Sequence, residues 1–121
     1  MNILHVLSGD FVTGAETSTA AVIERQLARG HRVFIASGAF PHATKAVWVR
    51  VPVYDRRPWS RLANILALAR LVRREDIDLL HAHSRAASWV SHWAAKLTGR
   101  AYLSTLHGRQ HLHFSNIHFN I

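Results

Sequence analysis

Short apolar runs alternate with longer segments of helical hydrophobic periodicity along this chain of 121 residues. The apolar runs are nearly continuous, which is typical of strands buried on both faces of a parallel sheet. They cover residues 2–8, 31–37, 46–51, 77–83 and 101–107. Pro52 directly follows the third run and places that strand nearer an edge of the sheet, because proline cannot donate to the ladder.

Amphipathic segments at residues 16–29, 60–74 and 84–98 predict helices between these strands. Ser60 and Ser84 are predicted N-caps, and Gly99 is predicted to end the third helix. The predicted core faces are Ala20, Ile23 and Leu27, then Leu62, Ile65, Leu66, Ala69 and Val72, and finally Ala87, Val90, Ala94 and Leu97. The order of strands and helices favours a doubly wound, Rossmann-like α/β sheet with a right-handed first crossover.

Composition is that of a folded domain, with 49% hydrophobic residues. The length predicts one domain over residues 1–121, with its core in 1–108 and an irregular tail in 109–121. Because no closing helix follows, we expect the domain to be incomplete at its C-terminus, either a truncated product or half of a larger enzyme. The chain has no cysteine, which excludes disulfides, thiolate metal ligands and a cysteine nucleophile, and fits the cytoplasm.

The charge is strongly basic, with 15 Lys and Arg against 7 Asp and Glu. A formal net charge of +8 favours phosphate ligands, anionic lipid or nucleic acid as partners. No recognised nucleic-acid-binding motif accompanies the charge, so nucleic acid is not an expected partner.

Two glycines interrupt the apolar pattern directly after the first predicted strand. Gly9, Thr13, Gly14 and Glu16 would occupy the loop and the start of the helix that follows. Free N–H groups and the helix dipole would make this loop a phosphate-binding site. Alternatively, Gly14 only permits a tight turn and Glu16 only interacts with the dipole.

Polar residues also follow the fourth and fifth predicted strands, at the sheet edge where α/β proteins bind ligands. His107 is the first candidate there, and Gly108 would leave room for close approach. His83, Ser84 and Arg85 are further ligand-binding candidates, since Arg85 could hold a phosphate or carboxylate bidentately. The alternatives are a histidine bonded to the backbone at 107 and a solvated arginine at 85.

His81 and His83 share one face of the fourth predicted strand, and a His-x-His pair can bind zinc. The sequence places no third ligand beside them, so we predict neither a metal site nor a cofactor. His111 and His113 are expected to lie in a loop or terminal segment.

Aromatic and basic residues form two clusters that suit a membrane interface. One cluster forms a stripe at helical spacing on the third predicted helix, outside its predicted core face. The other lies just before the second predicted helix and in its first turn. The membrane-interface candidates are Arg57, Trp59, Arg61, Trp89, Trp93 and Lys96. The alternative is that the tryptophans pack against a neighbouring helix.

Six short pieces carry a resemblance to a known family. They are ILHVLS at 3–8, TGAE at 13–16, LARGHRV at 27–33, DLLHAHS at 78–84, LTGRA at 97–101 and STLHG at 104–108. In this order and spacing they resemble the N-terminal domain of retaining GT-B glycosyltransferases of the family 4 type. Thr13 departs from the family, which commonly has glycine there, and its Cβ would lie where a phosphate approaches.

The resemblance implies a two-domain, metal-independent enzyme that transfers a hexose from a nucleotide sugar to a glycan or lipid-linked acceptor of the cell envelope, such as lipopolysaccharide. It implies that this half binds the acceptor, with His83, Ser84, Arg85 and Gly108 as the candidate contacts. It also implies that His107 lies in the catalytic cleft, where it contacts the transferred sugar or helps to support the developing positive charge. The donor would bind mainly to a second domain, so the chain alone is expected to be inactive. The expected location is the cytoplasm, peripherally on the inner face of the plasma membrane. The alternative is a non-catalytic module that binds anionic membrane or phosphate ligands through its basic face.

Overall fold

A mixed sheet with a parallel centre organises the fold. The computed structural model describes residues 1–7, 14–38, 45–53, 55, 57–106 and 111–113, and gives only the backbone for 14–19, 106 and 111–113. The strands are β1 (Asn2–Val6), β2 (Arg32–Ser37), β3 (Val47–Arg50), β4 (Leu79–Ala82), β5 (Ala101–Leu106) and β6 (His111–His113). The helices are α1 (Gly14–Ala28), α2 (Pro58–Glu75) and α3 (Arg85–Thr98).

The strand order is β3-β2-β1-β4-β5-β6. The first five strands pair in parallel, which confirms the predicted doubly wound α/β sheet. β3 lies at the edge, as Pro52 indicated. β6 runs antiparallel to β5, with His113 opposite Ser104. Residues 111–113 are therefore a strand, where the sequence analysis expected an irregular segment.

Two hydrophobic clusters attach the helices to the sheet. The larger cluster joins α2 and α3 to side chains such as Leu4, Phe34 and Leu80. The smaller one joins Ile23 of α1 to Ile35 and its neighbours on β2. Successive strand residues point to opposite faces of a sheet, and the neighbours Phe34 and Ile35 belong to different clusters. Helix α1 therefore covers one face of the sheet, and α2 and α3 cover the other.

The core faces of the helices differ in part from the predicted ones. In α2 the buried residues are Asn64, Ile65, Leu68, Ala69, Leu71 and Val72. Leu62 and Leu66 are exposed instead, as are Leu97 in α3 and Ala20 in α1. In α2 the buried face includes a polar position, Asn64, whose amide is satisfied there because Nδ2 donates to the carbonyl of Pro52 at 2.9 Å.

Helix ends explain one further difference. Ser84 caps α3 as predicted, since its hydroxyl accepts from the backbone N–H of Ala87 at 3.1 Å, and Gly99 ends the helix at φ 69°. Ser60 is not a cap. The helix already begins at Pro58, which suits a first helical position, and the Ser60 hydroxyl donates to Asp55 Oδ2 at 2.9 Å.

Candidate functional site

The carboxyl ends of the parallel strands meet at one edge of the sheet, here called the carboxyl edge. The segments after β1, β4 and β5 all leave from it, and Gly14 begins α1 there. The predicted residues Gly9, Thr13, His107 and Gly108 lie outside the described residues, as does the side chain of Glu16. The roles proposed for them therefore stay predictions.

The opposite edge of the sheet is closed by polar contacts. Asn2 Nδ2 donates to the carbonyls of Glu75 at 3.2 Å and Asp76 at 3.0 Å. Arg100 pairs with Asp76 at 2.9 Å, and Arg32 pairs with Glu75 at 3.0 Å. These groups hold the end of α2 against the sheet, so this edge has a structural role.

A cavity of about 310 Å³ opens at the carboxyl edge, between the first turns of α2 and α3. Its lining is Val53, Arg61, Arg85, Ala86, Trp89 and Val90. Arg85 is exposed, and the guanidinium carbon of Arg61 lies 4.9 Å from the ring centroid of Trp89. We call this the arginine cavity. Two arginines beside an indole face provide charge for an anion and a flat surface for a sugar ring.

The acceptor candidates after β4 divide between three places. Arg85 lines the arginine cavity. Ser84 is occupied as the cap of α3. His83 is buried among other histidines, because its side chain points to the face of the sheet that α1 covers. Of the three, only Arg85 reaches a cavity that the structure describes.

A buried cluster of three imidazoles, here called the histidine cluster, joins β1 and β4. His5 lies opposite His81 in the strand register, and His83 follows on the same face. His5 Nδ1 and His83 Nε2 are 2.8 Å apart, and His5 Nε2 donates to Gln26 Oε1 on α1 at 2.7 Å. Burial lowers the pKa of His5 from 6.5 to about 4, although the hydrogen bond to Gln26 opposes this.

His5 was not predicted as a member of this cluster. The sequence nevertheless contained the information needed to find it. In a doubly wound sheet the first and fourth strands lie side by side, and this pairing places residue 5 opposite residue 81. The third residue that the His-x-His pair lacked in the sequence is thus supplied by a neighbouring strand.

The predicted membrane residues lie on or beside the outer surface of α2 and α3, here called the aromatic face. Trp89 and Trp93 are 45% and 44% exposed and meet edge to face at 6.5 Å, while Trp59 is 82% exposed. Lys96 Nζ lies 5.9 Å from the centroid of Trp93. Trp89 packs beside Arg61 of α2, as the alternative expects, and part of each ring is exposed, so the membrane role stays a prediction.

Arg57 is held differently from the other basic candidates. Its guanidinium forms an ion pair with Asp55 at 2.7 Å, with further hydrogen bonds at 3.1 Å. Hydrogen bonds from Arg57 keep the pKa of Asp55 well below its usual range, with help from Ser60. Arg57 therefore contributes less net charge to the aromatic face than Arg61 or Lys96.

A groove continues from the aromatic face along α2 and α3. Its volume is about 1030 Å³, and its lining is Ala63, Leu66, Ala67, Ala69, Arg70, Arg73, Arg74 and Leu97. Arg73 donates to the carbonyl of Leu97 at 3.0 Å, which fixes its guanidinium at the border between the two helices. Among the described helices, none is long and apolar enough to cross a membrane.

Comparison with known proteins assigns this architecture. The profile of Glycosyltransferase Family 4 matches residues 12–120. The fold is similar to that of a glycosyltransferase from Rickettsia africae ESF-5, with a TM-score of 0.78 and 24% identity over 98% of this chain and 32% of that one. No curated protein matches the chain.

Two further solved structures are similar. MurG from Acinetobacter baumannii matches with a TM-score of 0.72 and 13% identity, over 86% of this chain and 34% of that one. The lipopolysaccharide outer core galactosyltransferase WaaB matches with a TM-score of 0.65 and 11% identity, over 87% of this chain and 32% of that one. At such identities the likeness concerns the fold, and the chain spans about a third of the length of these structures.

Proposed function

The chain belongs to glycosyltransferase family 4, and we propose that it forms the acceptor-binding half of a retaining enzyme. This enzyme transfers a hexose from a nucleotide sugar to a glycan or lipid-linked acceptor of the cell envelope. The observation that carries the proposal is the arginine cavity, which lies at the carboxyl edge where a doubly wound sheet binds ligands. Because this chain spans about a third of the similar structures, the proposal assigns most of the nucleotide-sugar contacts to a second domain.

Recognition of the acceptor in this proposal depends on charge and stacking. Arg61 and Arg85 bind a phosphate or carboxylate of the acceptor, while Trp89 contacts its sugar ring or lipid stem. The start of α1 at Gly14 faces the same edge, where its free N–H groups hold donor or acceptor phosphate. His107 follows β5 and contacts the transferred sugar, with Gly108 allowing close approach.

The chemical role of this half is positioning and electrostatic stabilisation. Holding the acceptor hydroxyl against the donor carbon lowers the entropic part of the barrier, and cationic groups stabilise the departing phosphate. No metal is needed for this role. By the same proposal, residues 1–121 alone transfer no sugar, because most donor contacts lie elsewhere.

A second role, favoured by the exposed tryptophans, is docking on an anionic membrane. Indole rings suit the boundary between headgroups and acyl chains, and neighbouring cations attract anionic lipids. Trp59, Trp89 and Trp93 supply the rings, while Arg61 and Lys96 supply charge. Such docking would place the enzyme at the inner face of the plasma membrane, beside a lipid-linked acceptor.

Acceptor binding tests the first role. The chain is titrated with sugar phosphates and with a short-chain lipid-linked sugar diphosphate, and affinity is followed by calorimetry. We expect Arg85→Gln to weaken binding about tenfold or more, since a charge-assisted hydrogen bond contributes about 1.5–3 kcal/mol. Arg29→Gln, at the end of α1 and away from the cavity, is the matched control. Equal affinities of both variants would overturn the proposal.

A further inference from the structure

The histidine cluster has the side-chain chemistry of a transition-metal site. Each of its three residues offers one ring nitrogen, and these atoms all lie within 4.8 Å of one another. The ring centroids are 4.1 to 5.2 Å apart. Imidazole nitrogen suits Zn²⁺, Cu²⁺ and Ni²⁺, whereas Mg²⁺ and Ca²⁺ require oxygen ligands.

Two partners orient the rings in the way that metal-bound histidines are oriented. The Nε2–H of His5 donates to Gln26 Oε1 at 2.7 Å, which leaves Nδ1 with its lone pair turned toward His83. His81 Nε2 lies 2.8 Å from the hydroxyl of Thr105 on β5. Histidine ligands usually make such a bond through the ring nitrogen that does not bind the metal, because it fixes the tautomer and the ring plane.

The spacing and the position of one proton require a small rearrangement before an ion can enter. Because His5 Nδ1 accepts, the 2.8 Å contact places a hydrogen on His83 Nε2, and this hydrogen must move to His83 Nδ1 when the ion binds. Zn–N bonds of about 2.0–2.1 Å in a tetrahedron place ligand nitrogens about 3.3 Å apart. The His5–His83 pair at 2.8 Å must therefore open by about half an ångström, and the most distant nitrogen, within 4.8 Å, must approach. His81 is only half-buried, so an ion reaches the cluster from its side.

We propose that His5, His81 and His83 bind one divalent transition-metal ion, Zn²⁺ being the expected occupant, with water as fourth ligand. The ion would join the two central strands, β1 and β4, directly beneath α1. The expected effect of the ion is on stability, since the cluster lies between the sheet and α1 rather than in the arginine cavity. The site does not depend on the proposed acceptor binding.

Cobalt spectroscopy tests the site on the untagged chain after chelator treatment and dialysis. Co²⁺ is added first, and Zn²⁺ then competes for it. We expect one equivalent of Co²⁺ to produce the intense visible bands of tetrahedral coordination, and one equivalent of Zn²⁺ to remove them. Calorimetry with Zn²⁺ alone gives the affinity and the stoichiometry.

Variants assign the ligands. His83→Gln and His81→Gln should each abolish the cobalt bands, and Gln26→Leu should weaken Zn²⁺ binding about 10–100-fold by releasing the His5 ring. His92→Gln and the double change His111→Gln with His113→Gln are controls that should bind normally. Circular dichroism checks the fold of each variant. Because His81 is only half-buried, His81→Gln is the ligand variant expected to disturb the fold least.

Three outcomes would contradict the proposed metal site. Absence of tetrahedral bands in the wild-type chain would reduce the cluster to a hydrogen-bonded core network. Bands that persist in folded His81→Gln, or that vanish in the His111 and His113 double variant, would place the metal elsewhere. Any of these results would overturn the proposed site.

Discussion

The guanidinium of Arg61 lies over the indole of Trp89, with 4.9 Å between its central carbon and the ring centroid. This contact joins the first turn of α2 to α3, and both residues line the arginine cavity. Trp89 also belongs to the aromatic face, where it meets Trp93. The proposed acceptor site and the proposed membrane surface therefore share a border, which suits an acceptor that is itself anchored in a lipid layer.

Removing the two neighbouring indoles should weaken membrane docking. We expect the double variant Trp89→Ala with Trp93→Ala to partition onto anionic vesicles about tenfold less than the wild-type chain, because interfacial burial of these rings is lost. Co-sedimentation with phosphatidylglycerol-containing vesicles measures the effect, and added salt should weaken wild-type binding. Val47→Ala, exposed on the edge strand β3, is the control. Equal wild-type binding to neutral and anionic vesicles would contradict this role.

A pair of leucines tests which face of α2 packs on the sheet. Leu68 is fully buried, whereas Leu66 is 55% exposed. Leu68→Ala should lower the free energy of unfolding by about 2–5 kcal/mol through lost contacts and a cavity, and Leu66→Ala by about 0.5 kcal/mol or less. Urea denaturation of both variants measures the difference. A larger loss for Leu66→Ala would mean that the helix is rotated from its observed position.

The order of elements was predictable from the sequence, but the orientation of α2 was not. Its leucines at 62, 66, 68 and 71 are spread widely around the helix, so periodicity alone does not select one face. On the observed face, the buried amide of Asn64 donates to the carbonyl of Pro52, in the segment that precedes the helix. Residue preferences alone predict that an asparagine is exposed, because they do not show that its amide has a hydrogen-bond partner in the core.

The sites were predictable to a similarly limited extent. The position of Arg85 at the carboxyl edge was predictable, because the order of strands and helices along the chain places the start of α3 there. The contact of Arg61 with Trp89 depends on the packing of α2 against α3, and the histidine cluster depends on the pairing of β1 with β4. Both are contacts between segments that are distant in sequence. The hydrophobic periodicity of a single segment does not predict such contacts.

Acidification should destabilise the fold through His5. Its pKa is lowered to about 4 when folded, so the unfolded chain, with a histidine pKa near 6.5, binds more protons between these values. The stability that depends on neutral His5 is present above pH 6.5 and is lost as pH falls toward 4. The expected loss is about 2 kcal/mol by pH 5 and about 3 kcal/mol below pH 4.

Urea denaturation with chelator present, between pH 7 and pH 5, measures this loss. His81 and His83 are the ionisable side chains that face His5 from β4, whereas Gln26 from α1 is not ionisable. The difference between wild type and His5→Gln isolates the contribution of His5. An equal pH dependence of both proteins would contradict the role of burial at this residue.

The cap of α3 provides a further test near the arginine cavity. Ser84→Ala removes the acceptor for the N–H of Ala87 and should cost about 1 kcal/mol of stability. Ser84→Asp should retain the cap and the stability. Thermal denaturation of both variants separates the two cases, and an alanine variant as stable as wild type would show that the hydroxyl has no capping role.

The most direct test of the account is to locate a bound sugar phosphate on the wild-type chain by amide chemical-shift mapping. The account predicts that the perturbed amides cluster at the carboxyl edge, around Val53, Arg61 and Arg85, which line the arginine cavity. Perturbations centred on the opposite edge, around Asp76 and Arg100, would contradict it, as would the absence of any perturbation at saturating ligand.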